Sequence, residues 1–265
     1  MKFHILVEDT ARDERFVAEH GFSLLVEKDD HYILHDMGQS DAFVRNAAVM
    51  GLDLAKVEHA ILSHGHYDHG GGLSTFLELN SKAPVWMAKT AFETHINSAR
   101  QADIGLPLAL ANHPRIHFLE DTKVIISGIS VWLPKKEPRY PIRSDGLEKD
   151  VNGTRSLDDF DHECYFIVSR YGGPSVLISG CAHRGILNLM DWFHPNYFIG
   201  GMHLNSYDPN QEDDREKLYQ LGRYLAAYPC TYYVGHCTGD AALPYLKYSI
   251  GDHLHRIRTG DTIVI

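Results

Sequence analysis

An α/β architecture, with mixed sheets covered by helices on their outer faces, is what this sequence predicts, on three observations. Short apolar runs of strand character alternate with amphipathic stretches along the whole chain. Apolar residues make up 44% of the composition, enough for a sizeable core, while the 23% of charged residues is ordinary for a globular domain. Three separate segments also share one form, an apolar strand, then glycine, then histidine: Val176 to His183, Tyr197 to His203 and Tyr232 to His236.

The elements follow in order. Phe3 to Val7, Ser23 to Glu27 and Tyr32 to His35 read as early strands of one sheet, with Asp29-Asp30 as the turn between the last two. Ser40 to Met50 reads as a helix, with Ser40 as N-cap and Gly51 as its stop. Ala60 to Ser63 is a strand leading into a turn and helix through Leu79, and Val85 to Met87 is a short strand after Pro84. Residues 89–114 read as a helix and a long loop, and residues 134–161 as a second irregular loop, both placed near the active-site mouth. Between them, Ile116 to Leu119, Lys123 to Ile126 and Ser130 to Leu133 read as a meander. Cys164 to Ser169 and Ser175 to Ser179 are strands around Gly172-Gly173-Pro174. Helices at Arg184 to Phe193, Gln211 to Ala227 and Ala241 to Ser249 alternate with strands at Tyr197 to Gly200 and Thr231 to Val234, and Thr262 to Ile265 closes the chain. No linker or short repeat divides it, so residues 1–265 read as one domain.

Composition narrows the function. A net charge of -10 with histidine neutral speaks against a nucleic-acid partner, which needs clustered Lys and Arg. No apolar run reaches the roughly 18 residues of a membrane helix. The early apolar stretch meets Glu8 and Asp9 at once, which is no secretory pattern. Cys164, Cys181, Cys230 and Cys237 form no Cys-x-x-Cys pair, so free thiols and a cytoplasmic home are expected. The oligomeric state is not legible.

The chemistry is concentrated at Ser63-His64-Gly65-His66-Tyr67-Asp68-His69-Gly70, directly after the apolar Ala60-Ile61-Leu62. Side chains two apart on extended backbone point the same way, so His64 and His66 can grip one ion while Asp68 and His69 on the turn face a neighbouring one. Imidazole and carboxylate donors suit zinc first, with iron or manganese as further options. The three strand-glycine-histidine segments would bring His183, His203 and His236 to the same sheet edge.

His-x-His-x-Asp-His after an apolar strand resembles the signature of the metallo-β-lactamase superfamily. Glu19 to Leu25, Ile33 to Gly38, Ser179 to Gly185, Gly200 to Leu204 and Gly235 to Gly239 fall in the order of one subgroup. That subgroup is the metal-dependent hydrolases that include archaeal 7,8-dihydropterin-6-methyl-4-(β-D-ribofuranosyl)aminobenzene 5'-phosphate synthases. The resemblance implies a four-layer αββα sandwich with two divalent metal ions at one edge. It implies that His236 is the last ligand, joining Asp68 and His69. Where most members carry a bridging Asp, this chain has Cys181 and His183, and either could ligate; His183 is preferred. By position His162 is a further ligand or a solvent histidine of an acidic loop. His203 is a ligand or an acid that touches substrate.

Asp36 is expected to hold a metal-bound imidazole from behind or to shape a turn. Arg184 and Asn188 would meet an anionic substrate group or merely cap their helix, and Thr238 is a similar case. His4, His95 and His255 read as ordinary residues. The implied function is a binuclear hydrolase that uses a metal-bound hydroxide on a small ester or phosphoester, an anionic one included, with Asp68 and His203 as its catalytic groups. The alternative is a dihydropterin-linked transferase, which would use aromatic surfaces such as Tyr67, Trp86, Tyr140 and Trp192. A third reading is a metal or redox sensor switched at Cys181. No dinucleotide-binding glycine fingerprint supports a flavin-linked redox enzyme.

Overall fold

The computed structural model describes residues 1–265. Two seven-stranded mixed sheets face one another. The first runs Thr262–Val264, Lys2–Val7, Ser23–Lys28, His31–His35, His59–Ile61, Val85–Ala88, Ile116–Leu119. The second runs Leu254–Arg256, Thr231–Val234, Tyr197–Gly200, Ser175–Ser179, Tyr165–Ser169, Ile129–Trp132, Lys123–Ile126. Each is antiparallel in one part and parallel in the other, and the parallel strands are those that lead into the histidine segments.

Side-chain alternation builds the layers. Phe3 and Ile5, Leu24 and Val26, and Ile33 point between the sheets to meet Val131, Phe166, Val176 and Ile178. Leu6, Leu25 and Leu34 point the other way, under the helices Ala42–Val49 and Leu73–Leu79. Leu177 and Phe198 likewise turn outward to Ile186–Phe193, Glu212–Ala226 and Leu243–Ile250. Three apolar seams separate four layers, the expected αββα sandwich. No helix is long and apolar enough to cross a membrane.

Local chemistry explains most boundaries. Asp29 and Asp30 both adopt positive φ, the backbone of a tight hairpin turn. Ser40 Oγ accepts the Ala42 N–H ahead of the first helix, and Gly51 ends it at φ +72.

Two expectations are corrected. Residues 89–114 hold no α-helix. They carry the strands Thr94–Asn97 and Ala102–Asp103, which join Leu147–Val151 and Thr154–Leu157 from the supposed second loop in a small four-stranded sheet. The expected meander is also divided. Ile116–Leu119 pairs with Val85–Ala88 in the first sheet, whereas Lys123–Ile126 pairs with Ile129–Trp132 in the second.

Candidate metal centre

The chain leaves the first sheet after Ile61 and turns through Ser63 to His66 into a one-turn helix, Tyr67–Gly70. Across from it, the three parallel strands of the second sheet end at Gly180, Gly201 and Gly235. Close approach requires the first two glycines. A Cβ on Gly180 would lie 2.3 Å from Ser63 Oγ and 2.9 Å from His69 Nδ1, and one on Gly201 would lie 2.4 Å from Cys237 Sγ. Ala182, His203, His236 and Asp36 all take positive φ, so the strand ends hold backbone strain where side chains converge.

One group comprises Asp68, His69, His236 and Cys181. His69 Nδ1 donates to Asp36 Oδ2 at 2.7 Å, and His236 Nδ1 to Asp9 Oδ1 at 2.8 Å. Their Nε2 atoms then face one another at 3.2 Å, with Cys181 Sγ 3.2 Å from His69 Nε2 and Asp68 Oδ2 3.3 Å from His236 Nε2. Burial alone would raise the Asp68 pKa, but His69 and His236 hold it well below the usual carboxylate range. Burial pushes the Cys181 thiol up. Facing imidazole nitrogens beside a carboxylate and a thiol could hold a metal ion, and N, O and S donors suit zinc.

The second group is His64, His66 and His183, which could each direct one ring nitrogen at a shared ion. Asp36 supports this group too. Its Oδ2 accepts the Ser63 hydroxyl at 2.8 Å, and Ser63 Oγ in turn accepts His64 Nδ1–H at 2.8 Å. That fixes the tautomer and leaves His64 Nε2 buried with no protein partner, as are Nε2 of His66 and both ring nitrogens of His183. Burial, then neighbouring imidazoles, push all three pKa values well below the ordinary histidine range. Neutral imidazoles with unpartnered lone pairs fit a metal ion. His183 stacks on Phe160 at 4.4 Å, and buried Glu163 holds its backbone by accepting the N–H groups of His183 and Arg184.

Both groups open into one cavity, lined also by His20, Asn97, Arg100, Asp145 and His203. His203 lies against His183 (ring centroids 4.2 Å apart), with its Nε2 3.8 Å from Asp145. Burial opposes its charge, but Cys237 and Asp145 outweigh that and raise its pKa. A second cavity shares Asp145, His183 and His203 and is lined by Tyr140, Ile186 and Met202.

The structure thus brings together His64, His66, Asp68, His69, Cys181, His183, His203 and His236, and places Asp36 behind two of the imidazoles. Four other expectations are corrected. His162 has both nitrogens engaged, Nδ1 accepting Gly65 N–H and Nε2 bonding Asp158, so no lone pair remains for an ion. Arg184 turns its guanidinium onto Trp192 and the Pro134 carbonyl, away from the cavity. Asn188 is fully buried and pins Tyr140 through its N–H and carbonyl. Thr238 Oγ1 accepts Met202 N–H inside the fold. Of the four proposed aromatics, Tyr67 and Tyr140 line the cavities, whereas Trp86 packs against His59 and His117, and Trp192 against Tyr165 and Phe193.

Sequence reasoning missed Asp9, Glu163, His20 and His95. His20 Nε2 lies 3.5 Å from Asp68 Oδ2 while its Nδ1 meets Asp9 Oδ2 at 3.0 Å. Its place inside Glu19-His20-Gly21 was the available signal. His95, read as ordinary, is buried beside His66 and bonds Asp158 at 3.0 Å.

Known proteins share this fold. The family model described as the metallo-β-lactamase superfamily matches residues 17–236. An uncharacterized protein of Methanocaldococcus jannaschii is 29% identical over 257 residues, 92% of this chain and 93% of its own. The 7,8-dihydropterin-6-methyl-4-(β-D-ribofuranosyl)-aminobenzene-5'-phosphate synthase of the same organism is 26% identical, over 99% and 96% of the two chains. A solved metal-dependent hydrolase of the β-lactamase superfamily superposes with a TM-score of 0.80 at 28% identity, covering 100% of this chain and 99% of that one. The metallo-β-lactamase fold protein YhfI from Bacillus subtilis shares the fold at a TM-score of 0.59 and 12% identity, over 99% and 98% of the chains. With its fold, its histidine clusters and a matching family model in agreement, the chain belongs to the metallo-β-lactamase superfamily.

Proposed function

We propose that the protein is a binuclear metal-dependent hydrolase of a small ester or phosphoester. The observation that carries this reading is the pair of buried donor groups, His64/His66/His183 and Asp68/His69/His236 with Cys181, on one cavity. Two divalent ions, zinc by this donor set, supply when bound a water acidified toward neutrality and a Lewis acid for the scissile oxygen. The protein's own groups do the rest. Asp68, held ionised, orients an attacking water by accepting a hydrogen bond from it. His203, on the far wall, donates a proton to the departing oxygen. Arg100 at the mouth supports an anionic substrate, and the apolar second cavity takes the body of the molecule.

The test is elemental analysis of the purified protein beside a His64→Ala/His66→Ala double variant, followed by an ester and phosphoester screen. About two ions per chain, reduced in the variant together with turnover, is the expected result. No ion under any loading condition overturns the reading.

A dihydropterin-linked transferase is the second reading, favoured by the relative of that name and by Tyr67 and Tyr140 on the cavity walls. Incubation with a pterin phosphate and an arylamine distinguishes the two. A condensed product means transferase, and free phosphate or alcohol means hydrolase.

A further inference from the structure

The two cavities at the metal centre differ in chemistry. The first carries the donor groups on polar walls, with Asn97 and Arg100 among them. The second is mostly apolar. Ile186, Met202 and Leu204 belong to the buried seam under the outer helices and give it a fixed face. Leu187 and Leu221 line it from the helices Ile186–Phe193 and Glu212–Ala226. Its two charged side chains satisfy each other. Arg143 meets Asp145 Oδ1 at 2.8 Å and lies over the Tyr207 ring at 4.2 Å. Tyr140 is pinned by Asn188, which accepts its N–H at 2.7 Å and donates to its carbonyl at 2.9 Å. The walls are thus set before any ligand arrives, and their one guanidinium is already paired.

Asp145, His183 and His203 line both cavities and form the threshold between them. His203 Nε2 lies there, 3.8 Å from Asp145 Oδ2. We propose that the second cavity holds the leaving group, and that the substrate is a carboxylic or phosphoric ester of an apolar, uncharged alcohol. The proposal rests on the hydrolase reading above and orients the substrate within it. A scissile bond at the donor groups, with its departing oxygen beside His203, sends the substituent of that oxygen over the threshold. The acid part stays in the polar cavity with Arg100. Water adds across the bond. Its hydroxyl goes to the acyl or phosphoryl group, and a proton passes through His203 to the alcohol oxygen. Burial against Ile186, Met202 and Leu204 favours a ring or branched chain over methyl by roughly 10–100-fold.

The experiment uses the full-length, zinc-loaded protein and two isomeric esters, benzyl acetate and methyl phenylacetate. They carry the same ring on opposite sides of the scissile bond. Benzyl phosphate and methyl phosphate form a second pair, whose alcohols are of similar acidity. In whichever pair is turned over, kcat/KM for the benzyl leaving group is expected to exceed that of its partner by roughly 10–100-fold. Leu187→Trp and Leu221→Trp narrow the cavity from separate helices, and each should cut that ratio about tenfold. The ratio is taken within one protein, so partial unfolding of a variant does not change it. A carboxylate at the para position of the ring should remove the preference. Preference for methyl phenylacetate overturns the orientation, and equal turnover within a pair overturns the subsite. An unchanged ratio in both variants puts the ring elsewhere and overturns it as well. A preference kept with the para-carboxylate overturns the uncharged class. If a wild type that binds its ions turns over none of these esters, the hydrolase reading itself falls and takes the proposal with it.

Discussion

The two halves of the centre are held in different ways. In the half built on Asp68, the outer nitrogens of His69 and His236 each bond directly to a carboxylate, Asp36 and Asp9. In the half built on His64, support is indirect. His64 reaches Asp36 through Ser63, and His183 has no polar partner on its ring and is held by Phe160 and its backbone. Direct carboxylate support raises ligand basicity and fixes geometry, so the Asp68 half should bind its ion first.

Asp36 is the residue the halves share, and its removal is the severest way to break the comparison. Asp36→Ala strands His69, Ser63 and His64 in a fully buried place, and a loss of roughly 3–5 kcal/mol in urea unfolding is expected, with both ions weakened. Unchanged stability would show that the shared carboxylate is not structural. Gly180→Ala comes next, at about 1–3 kcal/mol, because its Cβ collides with Ser63 and His69. Asp9→Asn sharpens the contrast. It should lower affinity in the Asp68 half alone by about 10–100-fold, as read by isothermal titration with zinc. Loss of the other ion instead would reverse the assignment.

Acid should act on the imidazoles of the two halves with opposite sign, because Asp68 and Asp9, against burial, raise the His236 pKa, so that its contribution is present at low pH and lost as pH rises. His64, His66 and His183 have lowered pKa values in the fold, so below about pH 6.5 the unfolded chain takes up protons that the folded chain refuses. Stability is thus fully present above the ordinary histidine pKa and falls as pH falls. Asp68 and Asp36, also lowered, add a further loss through the carboxylate range. The urea midpoint of the metal-free protein should therefore drop from pH 7.5 to 5, but less steeply than His64, His66 and His183 alone would give, since His20, His203 and His236 work the other way. A rise over that range would contradict the neutral-imidazole cluster. The smallest effect is expected at Arg184. Arg184→Gln should leave ion binding and substrate KM unchanged, since the guanidinium packs on Trp192.

What could be read in the sequence was local. His64 to His69 declare themselves because four candidate ligands, three imidazoles and a carboxylate, crowd one strand-turn. The strand-glycine-histidine segments were legible because each carries its own apolar run and turn. The small sheet was not. Leu147–Val151 is mostly polar, and it pairs with Thr94–Asn97 some fifty residues away, so neither strand shows the alternation that marks a buried one. His95 looked ordinary for the same reason, since its partner Asp158 lies 63 positions downstream. For Arg184 and Asn188 the sequence leaves substrate contact and helix capping both open, because a place at a helix start says nothing about which wall the side chains meet.

The small sheet also bears on how such a protein changes over evolutionary time. It contributes Asn97 and Leu147 to the cavity wall, and it carries His95 toward the metal centre. A remodelled sheet that reshapes this wall therefore also shifts the His95 ring that packs edge to face against His66. The shape of the cavity and the packing of one candidate ligand are thus inherited together.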